Sequence, residues 1–188
     1  MARYHVLFAA RESVRYHDRR VAHFEWLHRL TDLLTILLAG IVAMELLGAK
    51  EELPPVHWFT KIVAGLGALM SAFDLLVGFA RSADLHRSLK RRFIELEKRC
   101  IGDFDAEAMV QERLTIEADE PPIYRALQLL CTRELAIAEN IDPTDYPAGY
   151  VTLPWYMRST ANWLHWPDAA NVIPNQKRKR FWRWLLRR

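Results

Sequence analysis

Cysteine is scarce in this chain: only Cys100 and Cys131 occur in 188 residues. Two thiols are too few for a disulfide framework, and neither stands at metal-ligand spacing from a histidine. The seven glycines build no phosphate-cradling loop; Gly65-Leu66-Gly67 lies inside an apolar run, where close helix packing accounts for it. A nucleophile elbow, a zinc signature and a paired-carboxylate motif are all absent, so no catalytic residue, metal or cofactor is expected and the chain does not read as an enzyme. No stretch shows the period-two alternation of a half-buried strand. A cleavable signal is not expected either, because the apolar piece within residues 1–10 is short and a charged stretch from Arg11 to Arg29 follows it. The first long apolar run is therefore expected to serve as its own insertion signal. Charge of one sign is not in excess either: the formal net charge is +3, so the placement of charges carries more information than their sum.

What is present is a pair of apolar runs. The first extends from Leu33 to Met44 and on through Glu45 to Ala49; the second runs from Ile62 to Ala80, interrupted only by Asp74. Between them stands the polar, proline-marked turn 49–55. A bilayer-spanning helix needs about 20 mostly apolar residues, and both runs reach that length if polar residues at their ends sit among lipid headgroups. A buried pair in a soluble bundle is the competing reading, favoured by a mean hydropathy of −0.10 and by Glu45 and Asp74. Both runs, however, are apolar on every side for about three turns, which a small soluble bundle rarely needs. The expected fold is all-α: a membrane protein with a two-helix transmembrane hairpin, long helices extending into a mainly helical cytoplasmic region, and an aromatic-rich irregular C-terminal segment. The expected divisions are an N-terminal cytoplasmic helix over 1–29, the hairpin over 30–80 with spans at about 30–49 and 58–80, a helical region over 81–141, and an aromatic hook with a basic tail over 142–188.

Flanking charge sets the expected orientation. Arg11, Arg15, Arg19, Arg20 and Arg29 precede the first span, and Arg81, Arg87, Lys90, Arg91 and Arg92 follow the second. Cationic residues beside spans stay cytoplasmic, so both termini are expected on that side of a bacterial inner membrane. His57, Trp58 and Phe59 suit an interfacial anchor on the opposite side.

The second span carries a patterned face. Thr60, Ala64, Gly67, Ser71, Asp74, Gly78 and Arg81 recur at alternating spacings of four and three, which collects small and polar groups on one stripe. Small residues let helices approach closely in lipid. A two-helix hairpin is not expected to cover such a stripe alone, so several copies are expected to assemble, with Gly67, Ser71, Asp74 and Gly78 lining a conduit or packing helices together. Asp74 is the sharpest of these, because an unpaired carboxylate in hydrocarbon is costly and marks a pathway or a pair.

Elsewhere the pattern is helical over 6–29, with Val14, His17, Val21, Phe24 and Leu27 on one face and His17, His23 and His28 expected as half-buried side chains without chemistry. Helices are expected from Ala83 to about Cys100 with Leu85, Leu89, Phe93 and Leu96 inward, from an Asp105 cap to about Ala118, and from Pro122 to about Asn140 with Tyr124, Leu127, Leu130, Cys131, Leu135 and Ala138 buried. The hook, with Trp155, Tyr156, Trp163 and Trp166, is expected to pack through its aromatic rings, with a short helix around Met157 to Leu164. In the C-terminal tail Lys177, Arg178, Lys179, Arg180 and Arg183 alternate with Trp182 and Trp184, a composition that suits an anionic leaflet, each nearby charge contributing about 1 kcal/mol. Nucleic acid is the alternative contact for the same residues. Arg11 with His17, and Arg81 with His86, match the loose arginine-to-histidine spacing of HEPN ribonucleases, which makes a membrane-anchored RNase or RNase accessory one alternative function and a non-toxic scaffold another.

Arg29-Leu30-Thr31-Asp32 leading into the first span, the short turn, the small-residue second span and Leu85-His86-Arg87-Ser88-Leu89 continuing into an amphipathic helix together resemble the SLATT family of bacterial two-transmembrane effectors, over residues 10–140. The resemblance implies an oligomeric, membrane-disrupting or pore-forming toxin of an anti-phage defence system. It further implies the lipid bilayer and a regulatory partner as contacts, the partner being a nucleotide sensor or a retron-type ribonucleoprotein that releases the effector on infection. The hook and the basic tail lie outside the family pattern and are a place for that regulator to dock.

Overall fold

The computed structural model describes residues 2–48, 57–102, 104–142 and 150–166. These form six helices: α1 (Ala2–Gly48), α2 (His57–Val77), α3 (Phe79–Arg99), α4 (Ala106–Glu117), α5 (Arg125–Ala138) and α6 (Trp155–Ser159). No strand occurs among the described residues. No proline precedes Pro54, so nothing removes a ladder donor from α1, and the N-terminal helix enters the first apolar run without a break. At 1.5 Å per residue this helix is about 70 Å long.

The second apolar run differs from expectation at Gly78. Its φ of +64° is a left-handed conformation that a side chain disfavours by about 1–2 kcal/mol. The Gly78 N–H still bonds the Asp74 carbonyl at 2.7 Å, and the Gly78 carbonyl accepts from the Ser82 N–H at 2.9 Å. The hydrogen-bond ladder thus passes through a one-residue break between α2 and α3. Gly78 is accordingly a backbone joint rather than one more member of a small-residue stripe.

The chain divides into two compact units, one of residues 1–19 with 87 onward and one of Arg20–His86. In the first, two apolar clusters hold the helices. Val6 and Ala10 of α1 meet Leu89, Phe93 and Leu96 of α3 and Ile116 of α4. Tyr16 of α1 joins Leu127 and Cys131 of α5 with Val151, Leu153 and Met157 from the C-terminal segment. The amphipathic face of α3 therefore packs on the N-terminal helix, as its spacing implies, although Leu85 is exposed.

Helix ends in this unit follow local chemistry. The Asp105 side chain accepts the Glu107 N–H at 3.0 Å and caps α4. Asn140, at φ 53°, closes α5: its N–H reaches the Ile137 carbonyl at 3.2 Å and the Ile141 N–H reaches Ala136 at 3.0 Å, the paired bonds of a Schellman ending. The helix starts three residues later than expected, with Tyr124 at its cap, and the Tyr124 N–H donates instead to the Tyr16 hydroxyl at 3.0 Å. Tyr124 and Leu130 are half-buried and Ala138 is exposed.

Two further expectations are corrected here. The hook buries its aliphatic residues Val151, Leu153 and Met157, while Trp155 is 79% exposed and Trp163 is exposed as well. Of its tryptophans, Trp166 is the one packed against the cluster, with its indole N–H donating to the Thr160 hydroxyl at 3.1 Å. His17, expected at an interface, is fully buried. Its Nε2 lies 3.1 Å from Glu120 Oε1, and its ring stacks on Phe93 at 5.5 Å between centroids.

Burial raises the pKa of the Glu12 carboxyl above its ordinary 4.5, opposed by a 2.6 Å bond from the Thr132 hydroxyl. A raised folded-state value means that the folded form holds its proton more tightly than the unfolded form, so stability is greatest below the ordinary value and falls as pH rises through the folded one. Glu12→Gln is neutral throughout. The melting-temperature advantage of this variant over wild type should therefore grow between pH 4.5 and pH 8, and an advantage that does not change with pH would refute this assignment. Burial likewise pushes the Cys131 thiol up to about 12, which keeps it protonated and unreactive.

The second unit is the hairpin of α1 and α2 with the start of α3. Leu27, Val63, Phe79 and Ala83 are buried in it. The Phe24 ring stacks on His86 at 5.7 Å, and the Arg20 guanidinium covers Phe24 at 4.5 Å from the centroid. Two helices are long and apolar enough to cross a membrane, and only 11% and 17% of their most apolar stretches are buried. Ile36, Leu37, Met44, Leu69, Leu75 and Leu76 all stand exposed. A soluble core helix would hide such residues.

Candidate functional site

The polar stripe of α2 meets a matching stripe on α1. His28, Asp32, Thr35, Ala39 and Val42 recur at spacings of four and three, which places them on one face of a 3.6-residue helix. The two stripes pair along the hairpin. Gly67 lies against Leu38, where an added Cβ would come within 3.3 Å of the Leu38 Cβ. One step along, the Ser71 and Thr35 hydroxyls are 3.3 Å apart. At the next step Asp74 Oδ2 is 3.2 Å from His28 Nδ1. Within one chain Gly67 is buried against α1 and Asp74 is half-buried beside it, while Ala64 and Ser71 of the same stripe stay exposed.

The electrostatics concentrate at the Asp74 end. His28 stands between two carboxylates, with Nε2 3.5 Å from Asp32 Oδ2 and Nδ1 facing Asp74. The other Asp74 oxygen, Oδ1, is buried and receives no hydrogen bond. A groove of about 380 Å³ opens beside the group, lined by Thr31, Asp32, Thr35, Ile36, Ser71 and Asp74. Toward Gly67 the lining becomes apolar, with Leu38, Ala39, Val42 and Ala64. Chemically, the seam offers acceptors and hydroxyls at one end and close helix contact at the other. It suits a cation or a proton, and it joins the two helices through polar contacts.

The remaining predicted residues fall elsewhere. Gly78 forms the joint between α2 and α3. Lys177, Arg178, Lys179, Arg180, Trp182, Arg183 and Trp184 lie outside the described residues. Of the arginine and histidine pairs, Arg11 donates to Glu97 and Glu139, each at 2.8 Å, while His17 and His86 are both buried, out of reach of a dissolved substrate. His28, Asp32 and Thr35 were not singled out from sequence as site residues, although their four-and-three spacing on α1 mirrors that of the α2 stripe and was the available signal.

Compared with protein-family models, with curated proteins and with solved structures, the chain finds no match.

Proposed function

We propose that the chain is an effector of a bacterial anti-phage defence system that resides in the inner membrane with both termini in the cytoplasm. The observation that carries this reading is the outer surface of the hairpin: its most apolar side chains stand exposed, while Thr31 is buried and His28 and Asp74 meet between the helices. That arrangement fits a lipid surround, in which no hydrophobic gain holds helices together and polar or small contacts do. The likeness of the layout to SLATT effectors adds the functional class.

In the resting protein the seam is closed within each hairpin. A sensor partner, a nucleotide-binding component or a retron-type ribonucleoprotein, releases it through the cytoplasmic helices. Copies then assemble so that Gly67, Ser71 and Asp74 face one another around a water path, and the ion gradient collapses. The basic, tryptophan-bearing tail lies on the anionic inner leaflet.

The test is leakage. Full-length protein reconstituted in vesicles of anionic lipid should release a small trapped dye and dissipate a potassium diffusion potential once the activating partner is added. Activated protein that inserts yet leaves both dye and potential intact would sink the proposal.

A further inference from the structure

We infer that His28, Asp32 and Asp74 form a binding site for one divalent first-row transition cation of the zinc type, which ties α1 to α2. Each residue offers one ligand atom, and these atoms all lie within 4.8 Å of one another. Ligands held at about 2.0–2.2 Å in a tetrahedral shell stand roughly 3.3–3.6 Å apart, so the widest pair closes by about an ångström, a movement that side-chain rotation of the exposed Asp32 supplies. His28 and Asp32 are i and i+4 on one helix, a spacing that directs both side chains to the same side, and Asp74 closes the group from the facing helix.

A second feature points to a cation: Asp74 Oδ1 is buried with no donor at all, while its other oxygen and Asp32 already face the two ring nitrogens of His28, at 3.2 and 3.5 Å. A metal ion bound by one ring nitrogen and an oxygen of each carboxylate supplies the missing partner, the carboxylate now at the opposite nitrogen rotating onto the ion and the freed ring N–H turning to water, an outer contact common for a ligating histidine. Imidazole nitrogen favours zinc-type ions, whereas magnesium and calcium prefer oxygen alone. Three protein ligands leave a position for water, and the groove alongside carries the Thr31, Thr35 and Ser71 hydroxyls.

Binding at this place needs only the hairpin. A gating role rests on the leak reading above: the ion would hold the seam closed, and its removal would favour opening. The two are separated by measuring uptake in detergent, where no leak is involved. Full-length protein stripped with chelator and titrated calorimetrically with Zn²⁺ should take up one tightly bound equivalent, with Mg²⁺ at least about a hundredfold weaker. Co²⁺ in its place should give visible ligand-field bands. Asp32→Asn, at a side chain more than half exposed, should keep the helical circular dichroism and weaken Zn²⁺ about tenfold or more, and Asp74→Asn should do the same, on the scale by which ligand-shell changes act. His5→Gln should change nothing. Uptake that is unaltered in the Asp32→Asn/Asp74→Asn double variant, or Mg²⁺ bound as tightly as Zn²⁺, would overturn the site. With uptake established, a chelator-induced rise in vesicle leakage supports the clamp; leakage indifferent to chelator removes the gating role and leaves the site standing.

Discussion

Asp74→Leu should insert into membranes as wild type does and lose the leak. In the open assembly the carboxylate is proposed to face the water path, where a cation about 4 Å away gains about 4 kcal/mol at an effective dielectric of 20. If half of that survives hydration, roughly 2 kcal/mol, its loss lowers cation passage about thirtyfold, since about 1.36 kcal/mol is a factor of ten. The same substitution removes the 3.2 Å contact to His28 that helps to hold the hairpin shut, and this works in the other direction. A carboxylate that only glued the closed state would give more leak on removal, so the sign of the change separates a path-lining role from a purely structural one. Asp74→Glu, which keeps the charge, should retain most of the leak. Potassium flux from vesicles containing equal amounts of inserted protein is the readout, and a flux equal to or above wild type in Asp74→Leu excludes the conduit role.

The helices were legible because their signals are local. Proline-free sequence up to Pro54 implies one unbroken α1, and Asp105 and Asn140 mark helix ends by the hydrogen bonds that their own side chain or backbone makes. The pairing of Asp74 with His28 is not of that kind. It depends on which faces of α1 and α2 meet, a tertiary register that neither helix fixes by itself, so a stripe on α2 read alone does not show which part of it α1 covers. Gly78 shows a related ambiguity. In a string of helix formers a glycine on a small-residue stripe reads as packing, whereas here its positive φ sets a joint. In the hook, the high area of tryptophan suggested burial. Instead the extended segment turns Val151 and Leu153 inward, two residues apart as a pleated backbone requires, and leaves Trp155 outside. His17 misled for a different reason: a helix rich in charge gave no sign that one histidine would meet Glu120, a residue 103 positions away.

That pair yields the second large effect. His17 and Glu120 have side-chain exposures of 1% and 6% and lie 3.1 Å apart, so removing one partner strands the other in the interior, at a cost of about 3–5 kcal/mol. In a chain of this size, each kcal/mol displaces the melting temperature by roughly 2–4 °C. His17→Ala should therefore melt some 6–20 °C lower, with part of the loss coming from the space opened beside Phe93. Replacing both residues by leucine is a different matter, because a buried polar pair exchanged for apolar groups of similar volume is often neutral or stabilising. The double variant His17→Leu/Glu120→Leu should recover most of the loss seen in either single variant, and melting of the detergent-solubilised full chain measures the coupling directly. Single variants within about 1 kcal/mol of wild type would show that the pair is not enclosed as described. The same double variant bears on the ribonuclease alternative. A histidine that acts on RNA cannot be restored by leucine, whereas a histidine whose work is to fill and neutralise the space between α1, α3 and the Glu120 turn can. A folded double variant that still leaks when activated would assign His17 to the scaffold, and one that regains stability yet loses toxicity together with RNA cleavage would assign it to chemistry.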